Sequence, residues 1–390
     1  MSNIEWTDET WNPVVGCTPV SPGCLNCYAA RMAIRQEAMG TAAYQPVLMS
    51  PRMRDKAGIG DGSKRTKEIR IAEVRGGRPV FTGSVRLVPD ALDKPLHWRK
   101  PRRIFVNSMS DLFHADVPFE FIDRVFAVMA LCPQHTFQVL TKRPERMVEY
   151  LKCGGARRNI RVYNAAAEMI KWDFSRMPGN MANERSSGAS WWPLPNVWLG
   201  TSVEDQARAD ERIPWLLKCP ATVRFLSVEP MLGAVSLSKM GVRDKGTYDK
   251  WFDCLSGSWW QQPGDRKHDL NSPSMTFSDP PHSINLVIVG GESGPGARPC
   301  NVAWIRSVVG QCKAAGVPVF VKQLGANVQC RNDQVSDWLD ECGLSLDYID
   351  TEGVRMQGDP VRVLLNDPKG SDPSEWPGDL RVREMPGDRA

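Results

Sequence analysis

Cys17, Cys24 and Cys27 fall within "GCTPVSPGCLNCYAARM" at C-x6-C-x2-C spacing. Three thiols are an awkward number for most cysteine chemistry. A disulfide uses two and strands the third. A structural zinc site takes four ligands, and a Cys-x2-Cys knuckle is ordinarily matched by a second close pair. The sequence has no such pair, so a distant side chain such as His97 would have to complete the site. A deaminase-type zinc would use the P-x-C-x-x-C of "SPGCLNC" but also needs His-x-Glu or Cys-x-Glu, and Cys17 is followed by Thr18 and Pro19. The remaining reading is a 4Fe–4S cluster on three thiolates, with its fourth iron open to a small-molecule chelate. The other eight cysteines (Cys132, Cys153, Cys219, Cys254, Cys300, Cys312, Cys330 and Cys342) are scattered, as expected of buried thiols in a reducing compartment.

A second set of candidates sits where apolar runs end. "RIFVNSMSD" ends in Asn107, Ser108, Ser110 and Asp111, and "TFQVLTKRP" in Thr141, Lys142 and Arg143. "NVWLGTSVE" gives Ser202 and Glu204, and "VRFLSVEP" gives Ser227 and Glu229. "NLVIVGGESG" gives Gly290, Gly291 and Glu292, and "VPVFVKQLG" gives Lys322 and Gln323. Lys142 or Arg143 could hold a carboxylate or phosphate, or simply cap the rim. "GGESGPG" lacks dinucleotide-loop spacing. It reads either as a tight turn or as a backbone approach to a ligand, with Glu292 meeting an amine.

These ends need a scaffold that gathers them. The six runs are apolar along most of their length and alternate with helical patterns such as "FEFIDRVFAVMALC" and "VAWIRSVVGQCKAAG". Strands buried on both faces and separated by helices predict a parallel sheet. The expected fold is α/β, a partial or complete parallel (β/α) barrel with its polar residues at the C-terminal mouth. A doubly wound open sheet is the alternative. "FTGSVRLV" (81–88) is a possible further strand, and a short first strand is expected before the cysteines. The expected organisation is a barrel over 1–326 with insertions at about 40–80, 152–195 and 235–284, read as long loops or lids. A C-terminal extension over 327–390 follows, packed on the barrel or trailing from it, its Pro, Gly and charge content reading as an extended surface segment.

The 390 residues are 42% hydrophobic, enough for a sizeable core, and carry net charge +4. No stretch has the length of a membrane span and the N-terminus shows no signal pattern, so a cytoplasmic protein without a membrane partner is expected. Between Pro51 and Pro79, nine basic side chains face four acidic ones. That segment reads as a solvated insertion or as an arm that contacts phosphates. Trp191, Trp192, Trp259 and Trp260 read as lid packing or as stacking surfaces for bases.

"WNPVVGCTPVSPGCLNCYA", "RIFVNSMSDLFHADVP", "VWLGTSVEDQARADERIP", "VRFLSVEPMLG", "VIVGGESGPGARP", "VFVKQLG" and "DPKGSDPSEWPGDLRVREMP" together resemble a phage-associated three-cysteine family of radical SAM-like proteins. The resemblance covers most of the chain outside the insertions. It departs from the commoner C-x3-C-x2-C spacing by three residues, and Asn26 precedes the third cysteine where an aromatic residue is frequent. It implies that Cys17, Cys24 and Cys27 ligate a 4Fe–4S cluster. It further implies that S-adenosylmethionine chelates the open iron and is cleaved to a 5′-deoxyadenosyl radical. Asn107, Ser202, Glu204, Gly290, Gly291 and Glu292 are then expected around the cofactor, and Asp111, Lys142 and Glu229 toward the substrate.

The implied function is remodelling of a modified thymine in phage DNA, or of its nucleotide, in the host cytoplasm. A glycine linked through nitrogen to the thymine methylene would become linked through its α-carbon. An electron donor such as flavodoxin is the implied partner. A nucleic-acid lesion repair lyase and a zinc-stapled binding protein without catalysis are the alternatives.

Overall fold

A computed structural model describes residues 4–49, 67–152, 155–178, 181, 192–244, 247–260, 283–347 and 360–387. The first strand, β1 (Glu9–Trp11), precedes the cysteines, and six strands follow. They are β2 (Arg103–Val106), β3 (Thr136–Thr141), β4 (Val197–Ser202), β5 (Val223–Val228), β6 (Leu286–Gly290) and β7 (Val319–Gln323). These are the six apolar runs, trimmed where each turns polar. The seven form one sheet whose strand order follows the chain. A doubly wound sheet would reverse direction at a switch point. None occurs here, so the architecture is a helix-flanked parallel sheet compatible with a partial (β/α) barrel.

The chain divides into two compact units. The first comprises Met1–Asn3, Thr7–Arg146 and Cys153–Asn196, and the second Ile4–Trp6, Met147–Lys152 and Val197–Ala390. In the first, β1 pairs with β2 and β2 with β3, all parallel. Helix α1 (Tyr28–Ala38) follows the cysteine loop and buries Ala29, Ala30 and Ala33. These small residues let it lie close to the hairpin Ala72–Arg75/Arg78–Phe81. Helix α2 (Phe119–Leu131) buries nine residues, including Phe121, Ile122, Val125 and Phe126, each contributing about 1.5–3 kcal/mol on full burial. Helix α3 (Pro144–Lys152) follows β3, and α4 (Gly155–Met169) packs on α2.

In the second unit β4, β5, β6 and β7 pair in parallel. All five residues of β6 are buried. Helix α5 (Gln206–Leu217) starts on Asp205, whose carboxylate accepts the Arg208 N–H at 2.8 Å. Helix α6 (Val302–Ala315) starts on the Asn301 side chain and stops at Gly316, in the left-handed conformation expected of a C-terminal glycine.

Two expectations need correction, and two open readings are decided. Residues 81–88 do not form a barrel strand. Gly83, at φ +96°, divides them between two small antiparallel pairs. The 152–195 insertion contains helix α4 rather than only loop. Trp192 is packed, the first of the two readings given for it: its ring lies 5.3 Å from Phe126, with the Arg158 guanidinium 4.1 Å away. The described part of the tail is folded and packed, the first of its two readings: β8 (Val328–Arg331), β9 (Ser345–Asp347) and β10 (Pro360–Leu364) form a sheet with Cys300–Asn301. The Val382 carbonyl accepts the Val321 N–H at 2.9 Å, and the Glu384 N–H donates to the Val319 carbonyl at 3.0 Å. The tail thereby covers the edge of β7, and Trp376 is fully buried.

Arg52, Arg54, Lys56, Lys64, Arg65 and Trp191 lie outside the described residues, as do the side chains of Trp259 and Trp260. In the described part of the basic insertion, Arg70 pairs with Glu37 and Glu68, and Arg75 with Glu73. No helix among the described residues is long and apolar enough to cross a membrane.

Candidate functional site: the cysteine loop

The loop begins at a glycine that no other residue could replace without strain. Gly16 has φ +89°, and a Cβ there would stand 2.1 Å from the Ser84 carbonyl oxygen. Its N–H donates to the Met109 carbonyl at 3.1 Å, which ties the start of the loop to the segment after β2. Cys17 follows directly. Cys24 ends a 3-10 turn, Pro22–Cys24, with its sulfur 3.7 Å from Ser21 Oγ. Cys27 is the N-cap of α1. All three thiols are free and half-buried.

Burial raises the pKa of Cys17 and Cys27, and nearby donors and cations partly offset it. Burial pushes Cys17 up to about 12, the charge of Asp111 adds to this, and Arg143 pulls it back. Burial also raises Cys27, against the N–H groups of Ala30 and Ala29 at the helix start and the charge of Lys142. A helix N-terminus and a guanidinium are the usual means of making a thiolate available to metal. Ligation must release the thiol protons.

Arg143 connects the loop to the sheet. Its Nη1 donates to Asp111 Oδ2 at 2.9 Å and to Cys17 Sγ at 3.7 Å, and its Nη2 donates to the Thr18 carbonyl at 2.9 Å. Asp111 is 5% exposed and accepts four hydrogen bonds. They come from the Phe113 N–H (3.0 Å), Thr141 Oγ1 (2.7 Å), the Lys142 N–H (3.0 Å) and Arg143. A carboxylate has about four acceptor sites. Asp111, expected to face substrate, therefore orients Arg143 and braces the end of β3.

His114 holds Thr18, the residue after Cys17. Its Nδ1 accepts the Asp116 N–H at 3.2 Å, so Nε2 carries the proton and donates to Thr18 Oγ1 at 2.7 Å. Burial, then the charge of Arg143, lowers its pKa below the ordinary 6.5, and the ring is neutral.

Two buried amides have unused capacity. Asn107 is left-handed at φ +61° and 2% exposed. Its Oδ1 accepts the Val14 N–H at 3.4 Å, and its Nδ2 has no hydrogen-bond partner. Gln138, fully buried in β3, has no partner for either amide atom. An orphaned buried polar group costs about 1–3 kcal/mol, and such groups commonly mark a missing ligand or water.

The second unit's strand-end residues are placed differently. Glu204 is fully buried against Arg212, with Nη1–Oε2 at 3.2 Å, and the same Nη1 donates to the Ser202 carbonyl at 2.9 Å. Glu229 accepts Lys322 Nζ at 2.8 Å. Glu292, expected to meet a ligand amine, instead accepts from Arg298 through its backbone N–H (2.9 Å), Nε (3.0 Å) and Nη2 (2.5 Å). A Cβ at Gly291 would fall 2.1 Å from the Leu324 carbonyl oxygen, and one at Gly290 would fall 3.0 Å from that of Gln323. These glycines serve the close approach of two strand ends, which accounts for them without a ligand.

Sequence reasoning left out His114, Thr18, Arg212, Arg298 and Gln138, and named Arg143 only beside Lys142. Gln138 did carry a signal, a lone amide inside the apolar run "TFQVLT". The pairing of Arg143 with Cys17 spans 126 residues and carries none.

The donor set suits an iron–sulfur cluster: three available thiols, a cation and helix N–H groups facing two of them, and the buried Asn107 Nδ2 without a partner. Among the described residues, no three His, Cys, Asp or Glu side chains converge as they would around a single metal ion. Thiolates on different irons of one cluster need not converge that way.

Fold and loop thus define an α/β protein with a three-thiol loop at the carboxyl end of its first parallel strand. The chain belongs to the family described as "Protein of unknown function (DUF5131)", whose profile matches residues 1–350. No curated protein and no solved structure matches it.

Proposed function

We propose that the protein is a radical SAM-type enzyme, with Cys17, Cys24 and Cys27 holding a 4Fe–4S cluster. One observation carries this reading: three free, half-buried thiols on a single loop, with Arg143 at the sulfur of Cys17 and the start of α1 at that of Cys27. Three thiolates leave one iron for S-adenosylmethionine, and the bound pair supplies one-electron cleavage of the sulfonium to an adenosyl radical. The chain's own groups bind and orient. Gly16 fixes where the loop departs. Asn107 offers its buried Nδ2 to the cofactor. Ser202 and Glu204 are expected cofactor contacts too, but Glu204 already pairs with Arg212. Lys142, whose ammonium favours thiolate at Cys27, is the group to hold a substrate carboxylate, such as that of a glycine attached to thymine. Arg143 is committed to Asp111, Thr18 and Cys17.

The test is anaerobic incubation of iron- and sulfide-reconstituted protein with S-adenosylmethionine and dithionite, read by mass spectrometry. Formation of 5′-deoxyadenosine that is lost in Cys27→Ala supports the reading. A reconstituted protein that leaves S-adenosylmethionine intact contradicts it.

A further inference from the structure

The three thiols of the loop are not equivalent. Cys17 has a guanidinium within hydrogen-bonding reach of its sulfur, and that cation is fixed from three sides. Arg143 Nη1 has two hydrogens; one goes to Asp111 Oδ2 at 2.9 Å and the other toward Cys17 Sγ at 3.7 Å. Nη2 is held by the Thr18 carbonyl at 2.9 Å. The backbone beneath is held too, since the Arg143 N–H donates to Thr141 Oγ1 at 2.9 Å and that hydroxyl donates to Asp111 Oδ1 at 2.7 Å. The Arg143 side chain is only 15% exposed, so solvent screens it weakly. Cys27, by contrast, meets backbone N–H groups and feels the charge of Lys142 through space, and Cys24 lies beside the Ser21 hydroxyl.

We infer that Arg143 is a positioning residue that sets the reduction potential of the cluster through Cys17, with Asp111 as its brace. The inference rests on the cluster reading above. Reduction adds one electron to the cluster and its thiolates. A fixed cation and a hydrogen bond at one sulfur stabilise that added charge and raise the potential. Arg143 would then act without touching substrate. A lysine could not reproduce its role, because a single ammonium lacks the planar fork that reaches Asp111, Thr18 and Cys17 together.

The test is a potentiometric titration of the reconstituted protein under dithionite, followed by EPR, for wild type, Arg143→Gln and Arg143→Lys. Iron content and a thermal melt are read on each. At a fixed potential near the wild-type midpoint, Arg143→Gln is expected to show at least a tenfold smaller reduced-to-oxidised ratio, a shift of about 59 mV for one electron. Arg143→Lys is expected between the two. A side chain that only supported the fold would change the melt and the iron content without moving the midpoint. If Arg143→Gln holds its cluster and titrates like wild type, the inference falls and the cluster reading stands. If Arg143→Gln fails to assemble a cluster, Arg143→Lys decides: a midpoint equal to wild type overturns the inference. If wild type itself assembles no cluster, both fall.

Discussion

The carboxylates at the strand ends of the second unit and the polar groups around the cysteine loop look alike in sequence, yet they are used in opposite ways. In the second unit each acidic side chain meets a cation of its own unit: Glu204 with Arg212, Glu229 with Lys322, Glu292 with Arg298. Charge is balanced internally and little capacity is left for a ligand. Around the loop the thiols are free and the Asn107 amide has an unmet hydrogen bond, and within β3 neither amide atom of Gln138 has a partner. The difference teaches that a charged residue at a strand end marks a site only when its partners are not already supplied by the fold.

The largest effect expected from this contrast lies in the buried pair. Glu204→Leu should destabilise the protein by about 3–5 kcal/mol, because it strands Arg212 without its counter-charge. The double substitution Glu204→Leu/Arg212→Leu should recover much of that loss in urea melts. A single variant as stable as wild type would show that the pair is not a structural brace. A smaller effect is expected at Gln138. Replacing an unsatisfied buried amide with an apolar isostere removes a cost of about 1–3 kcal/mol, so Gln138→Leu should raise the melting temperature. A clear drop would mean that water or another group already satisfies the amide.

The smallest effect concerns pH. His114 is held neutral below the ordinary 6.5 by burial. As pH falls through that value the unfolded chain takes up a proton that the folded chain does not, so the residue subtracts stability on acidification. Below its depressed folded value the slope disappears. His114→Gln should flatten the fall in stability just below pH 6.5, and an unchanged slope would remove His114 as its source.

Much of the scaffold was legible from the chain. Runs such as "LVIVG" and "TFQVLT" are apolar because both faces of those strands are covered, and their polar ends mark where burial stops. Helix α6 was legible from its periodicity and from Gly316. Helix α4 was missed because the Gly- and Ser-rich stretch after it dominated the reading of 152–195. The sheet in the tail was not legible because β10 is a short alternating segment, whose pairing with β8 is a tertiary matter. Within the site, the cysteines announced themselves by spacing. Asp111 was legible as an important residue but not in its role. Only the folded geometry shows four donors on its carboxylate and Arg143 turned toward Cys17.

The central claim is that the cysteine loop holds an open-site cluster. Its most direct test is EPR of anaerobically reconstituted, dithionite-reduced protein with and without S-adenosylmethionine, comparing wild type with Cys24→Ala. The account predicts a reduced-cluster signal in wild type that changes when S-adenosylmethionine is added and is absent from Cys24→Ala. A protein that takes up one zinc and no iron, or a signal that persists unchanged in Cys24→Ala, would contradict it.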